Sequence, residues 1–167
     1  MAIWTPSPTI RVKVLGLAWR GAHLLACEVE DSTGRVKGVR PPGGSIEFGE
    51  TREQAIAREF QEELGCSVHP FGPWHSFENI YDHEGARGHE FVFAVNVMLG
   101  DPALYGRDRI DFLESDGTRC VAAWVSPLAL PVGVDLYPNG LLPLIQAGVV
   151  SSDALGPGRH PDHVRPE

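Results

Sequence analysis

The 167 residues are enough for one domain with one core, and contents of 43% hydrophobic and 22% charged residues are ordinary for a soluble globular protein. A formal net charge of -8 disfavours nucleic acid and anionic membrane as partners, because like charges repel. The same charge would repel a small anionic substrate, so a bound cation would have to mediate the docking of any such molecule.

The beginning of the chain predicts a β-hairpin followed by a short strand. Residues 9–19 alternate between apolar and other side chains, residues 20–22 form a turn, and residues 23–29 form the second strand. After a loop comes the short strand Val36–Arg40. It stops at residues 41–44, Pro-Pro-Gly-Gly, because consecutive prolines remove the N–H donors that a strand needs.

The clearest helix of the sequence follows. Thr51 is a candidate N-cap and Gln54 stands three residues later, which is the spacing of a capping box. Gly65 suits the position just after a helix, where the backbone turns left-handed. An apolar stripe recurs every four residues between these signals, at Ile56, Phe60 and Leu64.

The second half of the chain predicts further strands. Residues 66–82 are extended with two proline interruptions, and residues 90–99 form the strongest strand, which we expect to be central. We expect a long polar loop over residues 101–119 and a strand over residues 121–125.

A short helix over residues 141–147, with Asn139 as a candidate cap, completes the predicted elements. Residues 151–167 are rich in glycine, proline, histidine and charge, which predicts a loosely ordered tail. Strands and helices mixed within so short a chain indicate an α/β fold with a mixed sheet covered by helices.

The cysteines and the N-terminus indicate a cytoplasmic protein. Cys27, Cys66 and Cys120 make an odd number and contain no Cys-x-x-Cys pair, so neither a disulfide framework nor a zinc site is indicated. Residues 1–8 lack the basic and apolar regions of a signal peptide, and no apolar run reaches the ~18 residues of a membrane span.

Three carboxylates on the predicted helix are the candidate functional group. Glu59, Glu62 and Glu63 stand at i, i+3 and i+4, which places them on one face with Cβ atoms roughly 5–6 Å apart. Like charges at this spacing destabilise a helix, and a hard divalent cation removes the repulsion. Arg58 could brace one carboxylate through a bidentate pair. Taken alone, three such glutamates more often indicate a solvated acidic helix face than a metal site.

The spacing of the surrounding residues argues against chance. Seven positions of fixed type occur at fixed intervals, for which a random match in this chain has a probability on the order of 10⁻⁶. They are Gly44, Glu50, Arg58, Glu59, Glu62, Glu63 and Gly65.

This pattern resembles the catalytic box of the Nudix hydrolase family, also called MutT-like. Every glycine and polar position of the box is present between residues 43 and 66, whereas Phe60 and Cys66 replace its two aliphatic residues. A weaker resemblance extends over residues 9–147. It implies a single domain, residues 1–150, with an α/β/α sandwich, a mixed sheet and a catalytic loop–helix–loop.

The resemblance also implies an activity, namely Mg²⁺-dependent cleavage of the diphosphate linkage in a small nucleoside diphosphate derivative, with Mn²⁺ as an alternative metal. Glu59, Glu62 and Glu63 would bind the metal together with the backbone of Gly43, and Glu63 would be the main ligand. Glu59 would also be a candidate general base, and Arg58 would orient it.

The candidate site residues outside the predicted helix rest on weaker sequence patterns. Glu50 would support the box, and Arg40, Glu50, Tyr81 and Glu90 are candidate substrate-binding residues. The family often supplies another acid from beyond the box, for which the chain offers Glu90, Glu114 and Asp116, although residues of this kind are more often ordinary surface carboxylates. The aromatic residues that could stack on a base, or simply pack in the core, are Trp74, Phe77 and Tyr81.

Two other functions fit the same fold. One is a catalytically idle domain that binds a nucleotide, although such a domain would have little need of the complete set of glutamates. The other is an isomerase of isoprenoid diphosphates, which would call for additional cysteine and glutamate machinery that the sequence does not identify. A homodimer is compatible with the sequence.

Overall fold

The computed structural model describes residues 5–114 and 117–151, in which a mixed sheet of eight strands carries two helices. The helices are α1 (Arg52–Leu64) and α2 (Leu141–Gln146). The strands are β1 (Ile10–Arg20), β2 (His23–Glu30), β3 (Val36–Arg40), β4 (Val68–His83), β5 (Ala86–Leu99), β6 (Arg109–Leu113), β7 (Arg119–Val125) and β8 (Asp135–Leu136).

The sheet runs in the order β4-β5-β1-β2-β3-β8, and β7 joins β2 while pairing with β6. β1 pairs with β5 in parallel and β3 pairs with β8 in parallel, whereas the other pairs are antiparallel. The strand predicted to be central therefore has a neighbour on each side, β4 and β1. β1 and β2 are paired only beside their turn, where Trp19 faces Leu24, and then separate.

The loop after β3 lies along the part of β1 that β2 leaves unpaired. Val14 N donates to Gly44 O at 2.9 Å, Gly16 N to Pro42 O at 3.0 Å, and Ile46 N to Val12 O at 2.9 Å. These bonds satisfy backbone groups that would otherwise be buried without partners. They also fix residues 42–46, and with them the start of α1, against the middle of the sheet.

Helices cover both faces of the sheet, as the α/β/α expectation requires. Successive side chains of β1 point to opposite faces. On one face, Val14 and Ala18 pack with Ile56 and Phe60 of α1, all fully buried. This burial holds α1 against the sheet, since removing a buried aromatic ring such as that of Phe60 typically costs about 3–5 kcal/mol.

The opposite face of β1 buries its other side chains under α2. Leu15 and Leu17 belong to a second apolar cluster that contains Leu141 and Ile145. The alternation predicted for β1 thus serves two cores, one under each helix.

The predicted boundaries of α1 are confirmed by its capping contacts. Gln54 N donates to Thr51 Oγ1 at 3.2 Å, and Thr51 N donates to Gln54 Oε1 at 2.9 Å, which completes the capping box. At the other end Gly65 has φ 63°, the left-handed conformation that glycine adopts without strain. Helix α1, which carries Glu59, Glu62 and Glu63 and is called the acidic helix below, is therefore fixed at both ends by local sequence.

The prediction of one long polar loop over residues 101–119 is wrong. Pro102–Gly106 form a 3₁₀ turn, and Arg109–Leu113 form β6, which pairs with β7. Ile110 is buried while its neighbours Arg109 and Asp111 are exposed, so the strand alternates with only one buried side chain. Tertiary pairing decides the structure here, because five residues with one buried side chain give a weak local signal.

The cap predicted for α2 is also wrong. The N-cap residue is Gly140, and no side-chain hydrogen bond caps this helix. The two-residue strand β8, which precedes it, was not predicted. The predicted tail, residues 151–167, lies outside the described residues apart from Ser151.

Neither helix in the described part of the chain has the length and apolar character that crossing a membrane requires.

Candidate active site

Arg58 ties the acidic helix to the loop that precedes it. Its Nε and Nη2 donate to the two carboxylate oxygens of Glu50 at 2.8 and 3.0 Å, and Nη2 also donates to Ser45 O at 2.9 Å. The bidentate bond to Glu50 is the main reason why the pKa of Arg58 is raised and that of Glu50 lowered. Arg58 Nη1 reaches Glu59 at 3.0 Å and Glu62 at 3.3 Å. The sequence predicted one braced carboxylate, and the structure has three.

Glu59 lies directly against the loop. A Cβ atom added to Gly44 would collide with the Glu59 carboxylate, so only glycine leaves room for it. Burial raises the pKa of Glu59, although the hydrogen bond from Arg58 acts in the opposite direction. Glu59 is therefore a half-buried carboxylate of fixed orientation.

Glu63 lies one turn further along α1 and is only 8% exposed. Gly43 N donates to Glu63 Oε2 at 3.2 Å. Burial raises the pKa of Glu63 to about 7, against the lowering influence of Arg40. Its charged form is therefore poorly stabilised by the protein alone, and a cation beside it would favour that form.

Glu62 differs from the other two glutamates, because its side chain is 48% exposed and bonds to Arg58. The three positions share a helix face as predicted. Across the residues that the structure describes, however, no three acidic, histidine or cysteine side chains are already close enough to hold a metal ion together.

Arg40 and Glu114 meet at the same loop. Arg40 Nη2 donates to Glu114 Oε1 at 3.1 Å, and Arg40 Nη1 lies 3.5 Å from Gly43 O. Glu114 also accepts from Cys120 Sγ at 3.4 Å, and its charge acts on Glu63. Of the acids considered outside the helix, Glu114 is therefore beside the site, whereas Asp116 lies outside the described residues.

Tyr81 and Glu90, both candidate substrate-binding residues, lie in one polar group, which we call the outer cluster: Arg11, Asn79, Tyr81 and Glu90. Arg11 Nη2 donates to Tyr81 Oη at 2.7 Å and to Glu90 Oε1 at 2.5 Å. Asn79 Nδ2 donates to Glu90 Oε2 at 3.3 Å. Arg11 and Asn79 were not among the residues predicted from the sequence, although the alternation of β1 distinguishes Arg11 from its apolar neighbours.

The other two aromatic candidates pack against the cores. Trp74 lies against the cluster under α1, with the Arg52 guanidinium 4.8 Å from its ring centroid, and Phe77 lies against the cluster under α2. The cysteines are free thiols, of which Cys27 and Cys66 are buried and Cys120 is partly exposed.

The pH dependence of stability should report on Glu63. In the fold this carboxyl keeps its proton up to about pH 7, compared with its ordinary value of 4.5, so the folded state binds more protons between these values. The stabilisation is complete below pH 4.5 and is lost as the pH rises through 7. In the presence of chelator, Glu63→Gln should therefore become more stable than the wild type between pH 5 and pH 8, by on the order of 2 kcal/mol.

Urea denaturation of both proteins at pH 5, 6, 7 and 8 measures this difference. A constant difference across the series would contradict the raised pKa. Adding Mg²⁺ at pH 8 should favour the wild type over the glutamine variant, which separates metal binding from the intrinsic effect.

Arg58→Lys should lower kcat by about 10- to 100-fold while the protein stays folded, because an ammonium group cannot form the fork that joins Glu50, Ser45 and Glu59. The substitution keeps the charge, so the loss isolates geometry. Arg52→Lys on the same helix is the matched control, since Arg52 bonds to exposed Glu53. If steady-state kinetics showed an equal loss of kcat in both variants, a positioning role for Arg58 would be contradicted.

Comparison with known proteins adds a family and a fold. The family model of the NUDIX domain matches residues 9–140. The 8-oxo-dGTP diphosphatase of Escherichia coli (strain K12) is 51% identical over 37 residues, which are 22% of this chain and 29% of that enzyme. The match thus spans less than a third of the length of this curated relative.

Two solved structures share the fold. The solution structure of the E. coli ORF135 protein has a TM-score of 0.53 and 20% sequence identity, and the alignment covers 90% of this chain and 93% of that one. The crystal structure of UDP-X diphosphatase has a TM-score of 0.50 and 17% identity, covering 90% of this chain and 68% of that one. At these identities the likeness concerns the fold alone.

Proposed function

Because the chain belongs to the Nudix family, we propose that it is a divalent-metal-dependent hydrolase that cleaves the diphosphate linkage of a small nucleoside diphosphate derivative. The observation that carries the proposal is the pair Glu59 and Glu63. Both carboxylates are held against residues 43–44, and burial raises the pKa of both.

The oxygen ligands that the site offers suit Mg²⁺ or Mn²⁺. Carboxylate oxygens are the ligands that hard cations prefer, and Mg²⁺ usually keeps several waters while binding one or two protein carboxylates. A pair of glutamates therefore suffices without a complete cage. Glu59 and Glu63 would hold the metal, and Glu62, Glu114 and the Gly43 carbonyl are further candidate ligands at the same site. When bound, the metal would neutralise phosphate charge and lower the pKa of the attacking water.

The protein's own residues would orient the reaction. Arg58 fixes Glu59 through Nη1 and braces the loop through Glu50 and Ser45. Glu59 is the candidate base, because its carboxylate is both oriented and partly desolvated. Glu50 is fully engaged by Arg58 and by Glu47 N, so we assign it support of the loop rather than substrate contact.

The outer cluster and Arg40 would contact the rest of the substrate. Arg11, Tyr81 and Glu90 bond to one another, and Arg11 belongs to β1, the strand against which the loop before α1 lies. Arg40 bonds to Glu114 and faces Gly43 O, so an anionic substrate could exchange for the Glu114 partner. The candidate substrates are nucleoside triphosphates, dinucleoside polyphosphates and nucleotide sugars.

The relative from E. coli acts on an oxidised nucleoside triphosphate, according to its name, which supports including such a nucleotide among the substrates tested. The net charge of -8 supports a small molecule over a capped RNA chain, because a polyanionic chain would be repelled over its whole length.

The test is a substrate panel run in ¹⁸O-labelled water with Mg²⁺ and analysed by mass spectrometry. We expect the label in a phosphate-containing product of at least one compound, with its diphosphate bridge broken, because a metal held by these acids would bind the phosphates and activate water beside phosphorus rather than beside a sugar carbon. Label on a sugar hydroxyl would contradict the proposed site of attack. Binding without turnover across the panel would favour an idle domain, and rearrangement of isoprenoid diphosphate without hydrolysis would favour the isomerase.

A further inference from the structure

Lys13 is a lysine near the site that forms no ion pair with a carboxylate of the described residues. The arginines around it are each committed: Arg11 bonds to Glu90, Arg40 to Glu114 and Arg58 to Glu50. For the Lys13 ammonium group, the described residues provide no side-chain hydrogen bond and no ion pair within 4.0 Å.

The position of Lys13 places it between the two halves of the site. Its backbone forms a bridge with Ser45, whose carbonyl accepts from Arg58 in the loop before α1. Two residues away on the same side of β1 stands Arg11 of the outer cluster. The charges of Glu59 on the helix and Glu90 in the outer cluster both act on Lys13. The ammonium group is thus within electrostatic reach of both groups of residues.

The surroundings of Lys13 are unfavourable to its charge in the free protein. The pKa of Lys13 is lowered to about 8, first by burial and then by the neighbouring charge of Arg40, whereas the charge of Glu90 acts in the opposite direction. A half-buried cation of this kind costs free energy unless an anion compensates it. The pairing of β1 holds the group in place, and among the described residues Glu59 and Glu90 act on it only through their charges, without an ion pair.

We propose that Lys13 binds a phosphate group of the substrate, donating from its ammonium group to a non-bridging oxygen on the side of the diphosphate that faces β1. This inference rests on the proposed function, since it takes the diphosphate to lie at Glu59 and Glu63. A lysine suits the task because it presents a compact charge with three donors on a flexible stem. It would also offset the repulsion between a polyphosphate and the acidic residues.

The first experiment measures binding without turnover. The probe is α,β-methylene-ADP, whose carbon bridge water cannot cleave, titrated calorimetrically in the presence of Mg²⁺. Lys13→Met keeps the stem and removes the charge, and its affinity should be about 10- to 100-fold weaker, the range expected for one hydrogen bond to a charged group. Lys13→Arg should restore most of the affinity.

Lys37→Met is the matched control, because Lys37 is the only other lysine of the chain and is engaged by His83 at 2.8 Å and Glu84 at 3.9 Å. Its affinity for the probe should equal that of the wild type. Thermal unfolding of each variant, run in parallel, shows whether a weak binder is folded.

The second experiment uses the unmutated protein. An amine-acetylating reagent is applied with and without the probe, and the modification of Lys13 and Lys37 is followed by mass spectrometry. Bound probe should slow acetylation of Lys13 by about tenfold or more, in proportion to its occupancy, and leave Lys37 unchanged. This readout does not depend on how a substitution is tolerated.

The outcomes separate the two proposals. If the wild type does not bind the probe, the proposed function fails and this inference fails with it. If the wild type binds and Lys13→Met binds equally well, only the role of Lys13 is overturned. Weaker binding by Lys13→Met without protection from acetylation would assign the loss to electrostatic support of Glu59, and would also overturn direct contact.

Discussion

Glu63→Gln should lower kcat by about 10²-fold or more while the fold is retained. Glutamine has the shape of glutamate and its oxygen can still accept from Gly43 N, so the contact at 3.2 Å survives. What is lost is the negative charge at a buried position, where a divalent cation would depend on it most. The measurement is steady-state kinetics at saturating Mg²⁺ with the best substrate of the panel, accompanied by a urea denaturation curve.

Glu53→Gln supplies the comparison for this experiment. Glu53 is on the same helix, in its first turn, but it is exposed and its partner is Arg52 at 2.9 Å. Its replacement should leave kcat nearly unchanged. Equal losses from the two substitutions would show that α1 matters through its stability alone, and would remove the reason for assigning Glu63 to a metal.

Excess EDTA should abolish hydrolysis entirely, and added Mg²⁺ or Mn²⁺ should restore it. The site brings together Glu50, Glu59, Glu62 and Glu63 of the loop and α1 with Glu114, which follows β6, and a polyphosphate cannot approach so many carboxylates unaided. The measurement is the initial rate in EDTA before and after stepwise addition of each metal.

Full activity in excess EDTA would contradict the metal requirement. A melting curve recorded in the same chelator buffer distinguishes loss of catalysis from loss of structure. Because Glu63 holds a proton up to about pH 7, restoration at pH 6 should need more Mg²⁺ than restoration at pH 8.

The acidic helix could be predicted because its signals are local. Thr51 and Gln54 cap one end, Gly65 ends the other, and the apolar stripe sets which face is buried. Each of these signals acts within a few residues, so a single sequence contains them in full. The same is true of the spacing that places Glu59 and Glu63 one turn apart.

The rest of the site depends on pairing between distant segments. Arg11 reaches Glu90 because β1 and β5 run side by side, and these two residues are 79 positions apart in the chain. Likewise Arg40 meets Glu114 only because β6, missed from the sequence, ends beside the loop after β3. No local pattern specifies such pairs, and so Tyr81 and Glu90 could be proposed while their partner Arg11 could not.

The parallel pairing of β1 with β5 also has a consequence for the newly synthesised chain. β1 ends at Arg20 but cannot pair with β5 until residues up to Leu99 have left the ribosome. At translation rates of about 5–20 residues per second, this interval lasts on the order of 4–16 s. During that time the edge of β1 that will carry β5 has no partner, and neighbouring nascent chains on the same messenger present the same open edge.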